Sequence, residues 1–253
     1  MYYKKCNFCT TEYCDELFHD TYPNTKSSIL YETKNFYICI DGYPIYPNHL
    51  LIVPRDHKLS FQALNKSYAK ELEDLINNIK SLFNDSENFI MFEHGDNENK
   101  IENIKKSVSS VIHAHMQFIP GIKIEKKDLI NFCFLNNENK LTLKNNINYE
   151  KYFFKKENKE KFILDYLKDD LPTNEPYLFF YFNNETGENM CIPQNIVDGE
   201  IPSQYFRKIM AIIRNPNVKN PFYNWKISNE VALSQNDRIE IINDIFKVFE
   251  KHK

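Results

Sequence analysis

Apolar and polar positions change period several times along the chain, and the changes divide it into elements. Between residues 28 and 54 the pattern is that of strands. Ser28 to Glu32, Phe36 to Asp41 and Leu50 to Pro54 are rich in β-branched and aromatic residues, and Pro44, Pro47 and Asn48 mark the loop before the third. From Ser67 to Phe83 the period becomes helical: Leu72, Leu75, Ile76, Ile79, Leu82 and Phe83 fall on one face, and Ser67 is placed to cap the helix. A short strand over 89–93 ends in His94-Gly95, and a polar loop over 96–107 leads to a strand over 111–120. The second half is less regular. Short helices are predicted over 128–135 and 157–167. A strand over 177–182, a turn over 183–187 and a return strand over 190–193 form a hairpin. Helices follow from Pro202 to Arg214 and after Ser234, where Ile241, Ile242, Ile245, Phe246 and Phe249 repeat at 3.6 residues.

These elements predict an α+β protein: an antiparallel sheet of about five strands crossed by the 67–83 helix, and an α+β extension packing on the same core. A boundary is placed near 121–125, where the first sheet ends, giving units of 1–122 and 123–253.

Composition narrows the class of protein more than its activity. The chain has 253 residues, 42% hydrophobic and 26% charged, with a net charge of −3. That is a globular balance with no electrostatic pull towards nucleic acid. No apolar run reaches the roughly 20 residues of a membrane helix, and the first residues have no apolar stretch of a signal peptide. The expectation is a cytoplasmic protein that does not engage membranes. The 32 asparagines beside only 5 glycines and 5 alanines look like a coding bias, so Asn-rich stretches are not read as signals. Six cysteines are expected as reduced thiols, and only Cys6-Asn7-Phe8-Cys9 has metal-ligand spacing.

The chemistry concentrates in Val111-Ile112-His113-Ala114-His115-Met116-Gln117-Phe118-Ile119-Pro120. In a strand, His113, His115 and Gln117 share one face while Ala114, Met116 and Phe118 face the core. Ligand atoms about 6–7 Å apart along a strand rarely share one metal, so the two histidines have separate roles. On residues alone the alternative is the polar outer face of a half-buried strand.

Here the sequence resembles the histidine-triad (HIT) superfamily, over about residues 4–121. His113-Ala114-His115-Met116-Gln117 is similar to its His-x-His-x-His/Gln signature. His49-Leu50-Leu51-Ile52-Val53-Pro54-Arg55-Asp56-His57 resembles its strand ending in Pro, a basic residue and His, with Asn48 where glycine is usual. Cys6 and Cys9 match the zinc-binding N-terminus of many members. The resemblance implies structural zinc on Cys6, Cys9, His57 and His113, leaving Cys14 a bystander, and His115 as the nucleophile that forms a nucleotidyl-histidine. Gln117 stands where hydrolase branches have a third histidine. Glutamine cannot titrate, and it is similar to the nucleotidyltransferase and diadenosine-tetraphosphate phosphorylase branches. Ala114 departs from the proline of the sugar-phosphate uridylyltransferases. By the same resemblance Asp41 binds ribose hydroxyls, His49 belongs to the nucleotide site, Ser110 (with Ser107 and Ser109 as competitors) donates to a phosphate, and Gly95 admits a phosphate to the backbone. The role of His94, proton donor or structural, stays open.

Pro202-Ser203-Gln204 followed by Arg207 and Trp225-Lys226 is similar to a pattern in longer bacterial HIT-like proteins and splicing-associated domains. Gln204 and Arg207, three apart on a helix, form either a second wall of the site that binds phosphate or a plain packing helix with Arg207 on its surface.

The resemblance thus implies an enzyme for nucleotidyl transfer or phosphorolysis on a nucleoside polyphosphate or other nucleotide-linked substrate, with phosphate or a sugar phosphate as acceptor. The alternatives are a hydrolase of dinucleoside polyphosphates or phosphoramidates, and a non-catalytic nucleotide- or RNA-binding module. HIT-like domains often form homodimers, and here the extension is the alternative to a second subunit.

Overall fold

The computed structural model describes residues 6–23, 25–83, 88–96, 113–135, 140–155, 162–169, 175–182, 188–202, 204–214 and 234–251. Its strands are β1 (Ile29–Glu32), β2 (Phe36–Ile40), β3 (Leu50–Pro54), β4 (Phe89–Gly95), β5 (Met116–Pro120), β6 (Phe153–Lys155), β7 (Tyr177–Phe182) and β8 (Glu188–Pro193). They form one sheet in the order β1-β2-β3-β5-β4-β7-β8-β6, with every neighbouring pair antiparallel. The five strands expected of the first half are therefore extended by three from the second. The junction is the β4–β7 ladder, which runs from Ile90 opposite Phe182 to Gly95 opposite Tyr177.

Both faces of the sheet are covered, which is why β2, β3 and β5 are buried at every position instead of alternating. On one face Phe36, Ile38, Leu50, Ile52, Met116, Phe118 and Phe179 pack against α2 (Ala69–Lys80), α4 (Ile163–Asp169) and α6 (Gln235–Glu250). Phe18 and Tyr22, at the end of α1 (Thr11–Thr21), join the same cluster. On the other face Ile90, Phe92, Ile119, Leu178, Phe180 and Met190 pack against α5 (Tyr205–Arg214) and the turn after α3 (Lys126–Ile130). A smaller patch on this second face joins Tyr37, Cys39, Leu51 and Val53 to Phe8 and Cys14. Between the two patches, the same face carries the polar side chains of Asp41, His49 and Gln117. Among the described residues no helix is long and apolar enough to cross a membrane.

Several boundaries differ from the sequence expectation, each for a local reason. The helix expected from Ser67 begins at Ala69, because Lys66–Tyr68 form a 3₁₀ turn that Asn65 caps, its side chain accepting from Ser67 N. The 111–120 strand begins only at Met116. His113 and Ala114 are drawn out of the ladder to the segment after β3, with Ala114 N donating to Lys58 O at 2.6 Å. The helix expected from Pro202 begins at Tyr205, since Gln204 has the left-handed φ of 59°. The last helix starts as expected: Ser234 and Asp237 cap each other reciprocally, and Ile242, Ile245, Phe246 and Phe249 are buried. Helix α1 follows no predicted element. The 183–187 turn, Ser107, Ser109, Ser110 and Trp225 lie outside the described residues.

One buried acid, Glu93, sits in the first core. Glu93 is 1% exposed, and its two oxygens accept from Phe61 N and from the Tyr177 hydroxyl. Burial pushes its pKa up to about 8 despite these two donors. A carboxyl raised in the folded state adds stability that is complete below its unfolded value and is lost as pH rises through the folded one. The melting temperature of the wild type should therefore fall from pH 5 to pH 8, and Glu93→Gln should flatten that slope. Parallel slopes in the two proteins would show that Glu93 is ionised throughout.

Candidate active site and metal centre

Each side chain of the site is fixed by the strand or turn that carries it. Asn48 adopts a φ of 62°, the left-handed region that glycine favours and asparagine tolerates, so it can replace the usual glycine before His49. His49 is fully buried. Its Nδ1 accepts from Ile45 N at 3.2 Å, so the ring proton is on Nε2, which donates to Gln117 Oε1 at 2.5 Å. Burial lowers its pKa to about 4, so the ring is neutral. Both ring nitrogens are thus engaged within the protein, and His49 reaches the cleft only by holding Gln117.

Arg207, from the first turns of α5, meets this pair from the opposite side. It is 7% exposed, not the solvated residue that a packing helix would carry. One guanidinium nitrogen donates to Asp41 Oδ2 at 2.5 Å and to Gln117 Oε1 at 3.0 Å; another donates to the Tyr43 carbonyl at 2.5 Å. The Asp41 carboxylate also accepts from Tyr43 N at 2.7 Å. Burial acts to raise the Asp41 pKa, but the Arg207 charge overrides it and holds the carboxyl below its ordinary value. The Gln117 oxygen therefore has two donors, which fixes the amide orientation and turns its N–H groups towards the cleft.

His115 completes the site. Its Nδ1 lies 2.9 Å from the His113 carbonyl, an acceptor that places the ring proton on Nδ1 and frees Nε2. Its pKa is lowered by burial. The ring of Phe8 lies 5.6 Å away, centroid to centroid. His115, Gln117, Asp41, Gln204 and Arg207 line one cleft with Phe8, Leu17, Phe18, Ile40 and Leu51, whose space, including its solvent mouth, is about 690 Å³. Cys14, expected to be a bystander, lines this cleft as well. The apolar wall from α1 escaped the sequence reading, although the Cys14 to Phe18 spacing of four was its available signal.

Two residues of β4 have a role in the fold. His94 Nε2 accepts from Phe206 N at 3.0 Å, and burial lowers its pKa to about 3. It is a neutral cap on the start of α5, with its ring proton on Nδ1. Gly95 answers to packing: a Cβ there would clash with the Tyr177 ring, so glycine is needed for the β4–β7 pairing.

The metal-ligand set converges beside this cleft. The ligand atoms of Cys6, Cys9, His57 and His113 all lie within 4.8 Å of one another. Cys9 Sγ is 3.0 Å from His57 Nδ1 and 3.8 Å from His113 Nδ1, and Cys6 Sγ is 3.4 Å from His113 Nδ1. A tetrahedral zinc site has ligand–ligand edges of about 3.3–3.8 Å, so the quartet fits a zinc ion with little adjustment. His113 Nε2 donates to the Pro54 carbonyl at 2.8 Å, which leaves Nδ1 as the ligating atom.

Arg207→Ala tests the buried charge pair. Removing one member strands the Asp41 carboxylate in a dry site, which costs about 3 kcal/mol or more. The urea midpoint should drop accordingly, and adding Asp41→Asn should restore part of the loss. An unchanged midpoint would mean that water replaces the guanidinium freely.

Comparison with known proteins gives a match of the HIT domain family model over residues 23–124. No curated protein matches the chain. Among solved structures, a histidine triad protein from Clostridium difficile is 21% identical, covering 50% of this chain and 98% of its own, with a TM-score of 0.34. A HIT family hydrolase from Clostridium thermocellum is 21% identical, covering 48% and 95%, with a TM-score of 0.32. A zinc-bound histidine triad family protein from Mycobacterium smegmatis is 15% identical, covering 44% and 77%, with a TM-score of 0.29. The matched residues 23–124 hold β1 to β5, α2 and the His113-x-His115-x-Gln117 motif, so this part of the chain carries a HIT domain.

Proposed function

We propose that the protein transfers a nucleotidyl group through a covalent intermediate on His115, and that phosphate or a phosphorylated molecule is the acceptor. The carrying observation is the hydrogen bond from His115 Nδ1 to the His113 carbonyl. It leaves the Nε2 lone pair free for attack. In the first step that lone pair forms an N–P bond at the α-phosphorus, and the bond to the leaving oxygen breaks with its electron pair. In the second step an acceptor oxygen forms the new P–O bond and the N–P pair returns to Nε2.

Gln117 decides which acceptor is favoured. Its oxygen is occupied by His49 and Arg207, so it offers only N–H donors to the charged phosphoryl oxygens. It has no proton for a poor leaving group. Phosphate oxygens leave as stable anions without one, which supports phosphate-type leaving groups and acceptors. Hydrolysis is the second reading, favoured by the open mouth of the cleft, through which water reaches the same intermediate.

Zinc on Cys6, Cys9, His57 and His113 is part of this proposal. When bound, the ion supplies a cross-link from the N-terminal arm to the segments after β3 and before β5. That places the His113 carbonyl, and through it the His115 ring.

Wild-type protein mixed with a dinucleoside polyphosphate and quenched should carry one added nucleotidyl mass, absent in His115→Ala. Inorganic phosphate should raise turnover roughly tenfold or more, a preference of about 1.4 kcal/mol. Equal turnover with and without phosphate acceptors would move the assignment to the hydrolase. Metal analysis should find about one zinc per chain. Cys9→Ala should lose the ion and melt lower, whereas a wild type whose melting ignores chelator would remove the zinc from the proposal.

A further inference from the structure

Among the described residues, the side-chain oxygens of Asp41 and Gln117 beside His115 have partners within the protein. Asp41, Gln117 and Arg207 hold one another, and the Asp41 carboxylate and Arg207 guanidinium also bond to Tyr43. Gln204 lines the same cleft and is 8% exposed, yet its side-chain oxygen Oε1 is buried without a hydrogen-bond partner among the described residues. A buried amide oxygen with no donor is uncommon and destabilising, and methionine would fill the same volume without that cost. The residue also stands at a φ of 59°, a conformation uncommon for glutamine. Its backbone carbonyl accepts from Lys208 N at 3.1 Å, so helix α5 anchors it and places it three residues before Arg207 on the cleft side.

We propose that Gln204 is a specificity-determining residue whose Oε1 accepts a hydrogen bond from an N–H or O–H donor of the bound nucleotide. The proposal rests on the nucleotide reading of the cleft. The sign of the group selects what it meets. An amide oxygen repels phosphate oxygens, so the phosphoryl arm belongs at the His115 and Gln117 end. The part reaching Gln204 carries a donor, either a ribose hydroxyl or a base N–H. This reverses the expectation that Gln204 contacts phosphate.

The test is equilibrium binding of nucleoside 5′-monophosphates to wild type, Gln204→Met and Gln204→Glu. The four common bases are screened first. The tightest is then compared with its 2′-deoxy and 3′-deoxy analogues and with one whose base N–H donor is removed or methylated. Wild type should lose roughly tenfold or more with one analogue, the scale of one donor to a buried acceptor. In Gln204→Met the parent nucleotide should weaken by that factor and the same analogue should no longer be discriminated. Gln204→Glu, which keeps an acceptor oxygen, should retain the discrimination. Which analogue responds separates ribose from base. Gln204→Met should melt no lower than wild type, because it buries no unpaired oxygen. Discrimination unchanged in Gln204→Met overturns this proposal alone. Folded wild type that binds none of the nucleotides overturns the nucleotide reading and this inference together.

Discussion

A guanidinium in a nearly dry site must be paired, and the partners of Arg207 organise the rest of the candidate site. The charge is carried in by α5 from the second half of the chain and neutralised by Asp41 at the end of β2. Asp41 is held in turn by Tyr43 N, and the Tyr43 carbonyl returns to the guanidinium. The geometry is closed, so neither half of the chain holds a satisfied site alone. A lone buried Asp41 or Arg207 would destabilise the fold that contains it.

The same contact sets the chemical character of Gln117. An amide can face either way round, and its orientation is decided by neighbours. His49 donates from behind and Arg207 from the side, so the oxygen is occupied and the nitrogen is presented. His49 can donate only because Ile45 N holds its other nitrogen, and the left-handed Asn48 turn brings it to the head of β3. A chain of neutral and charged donors thus fixes the orientation of one amide in the candidate site. His94 follows the same logic, since burial keeps it neutral and its lone pair caps the helix that carries Arg207.

The continuous sheet explains how two halves of different legibility form one site. β7 pairs with β4 along its whole length, and Gly95 leaves room for Tyr177 at the end of that ladder. The ladder positions the second half rigidly enough for α5 to lie across the face that carries Asp41, His49 and Gln117. The layer of α2, α4 and α6 on the opposite face buries the rest of the sheet.

By itself the sequence determined what depends on neighbours along the chain. β-Branched and aromatic runs broken by turn residues located the strands of the first half, and the 3.6-residue period located the buried stripe of α2 and the helix after Ser234. The motif around His113 separated two histidines from the core residues between them, and its resemblance to the HIT superfamily singled out the Cys6, Cys9, His57 and His113 quartet. What depends on distant partners was left to the tertiary structure. Asp41 and Arg207 are 166 positions apart, and nothing local distinguishes a buried arginine three residues after a glutamine from a solvated one. The orientation of Gln117, the engaged nitrogen of His94, the reason for Gly95 and the unpartnered oxygen of Gln204 all follow from which groups the fold brings within about 3 Å, the range in which a hydrogen bond is made or missed.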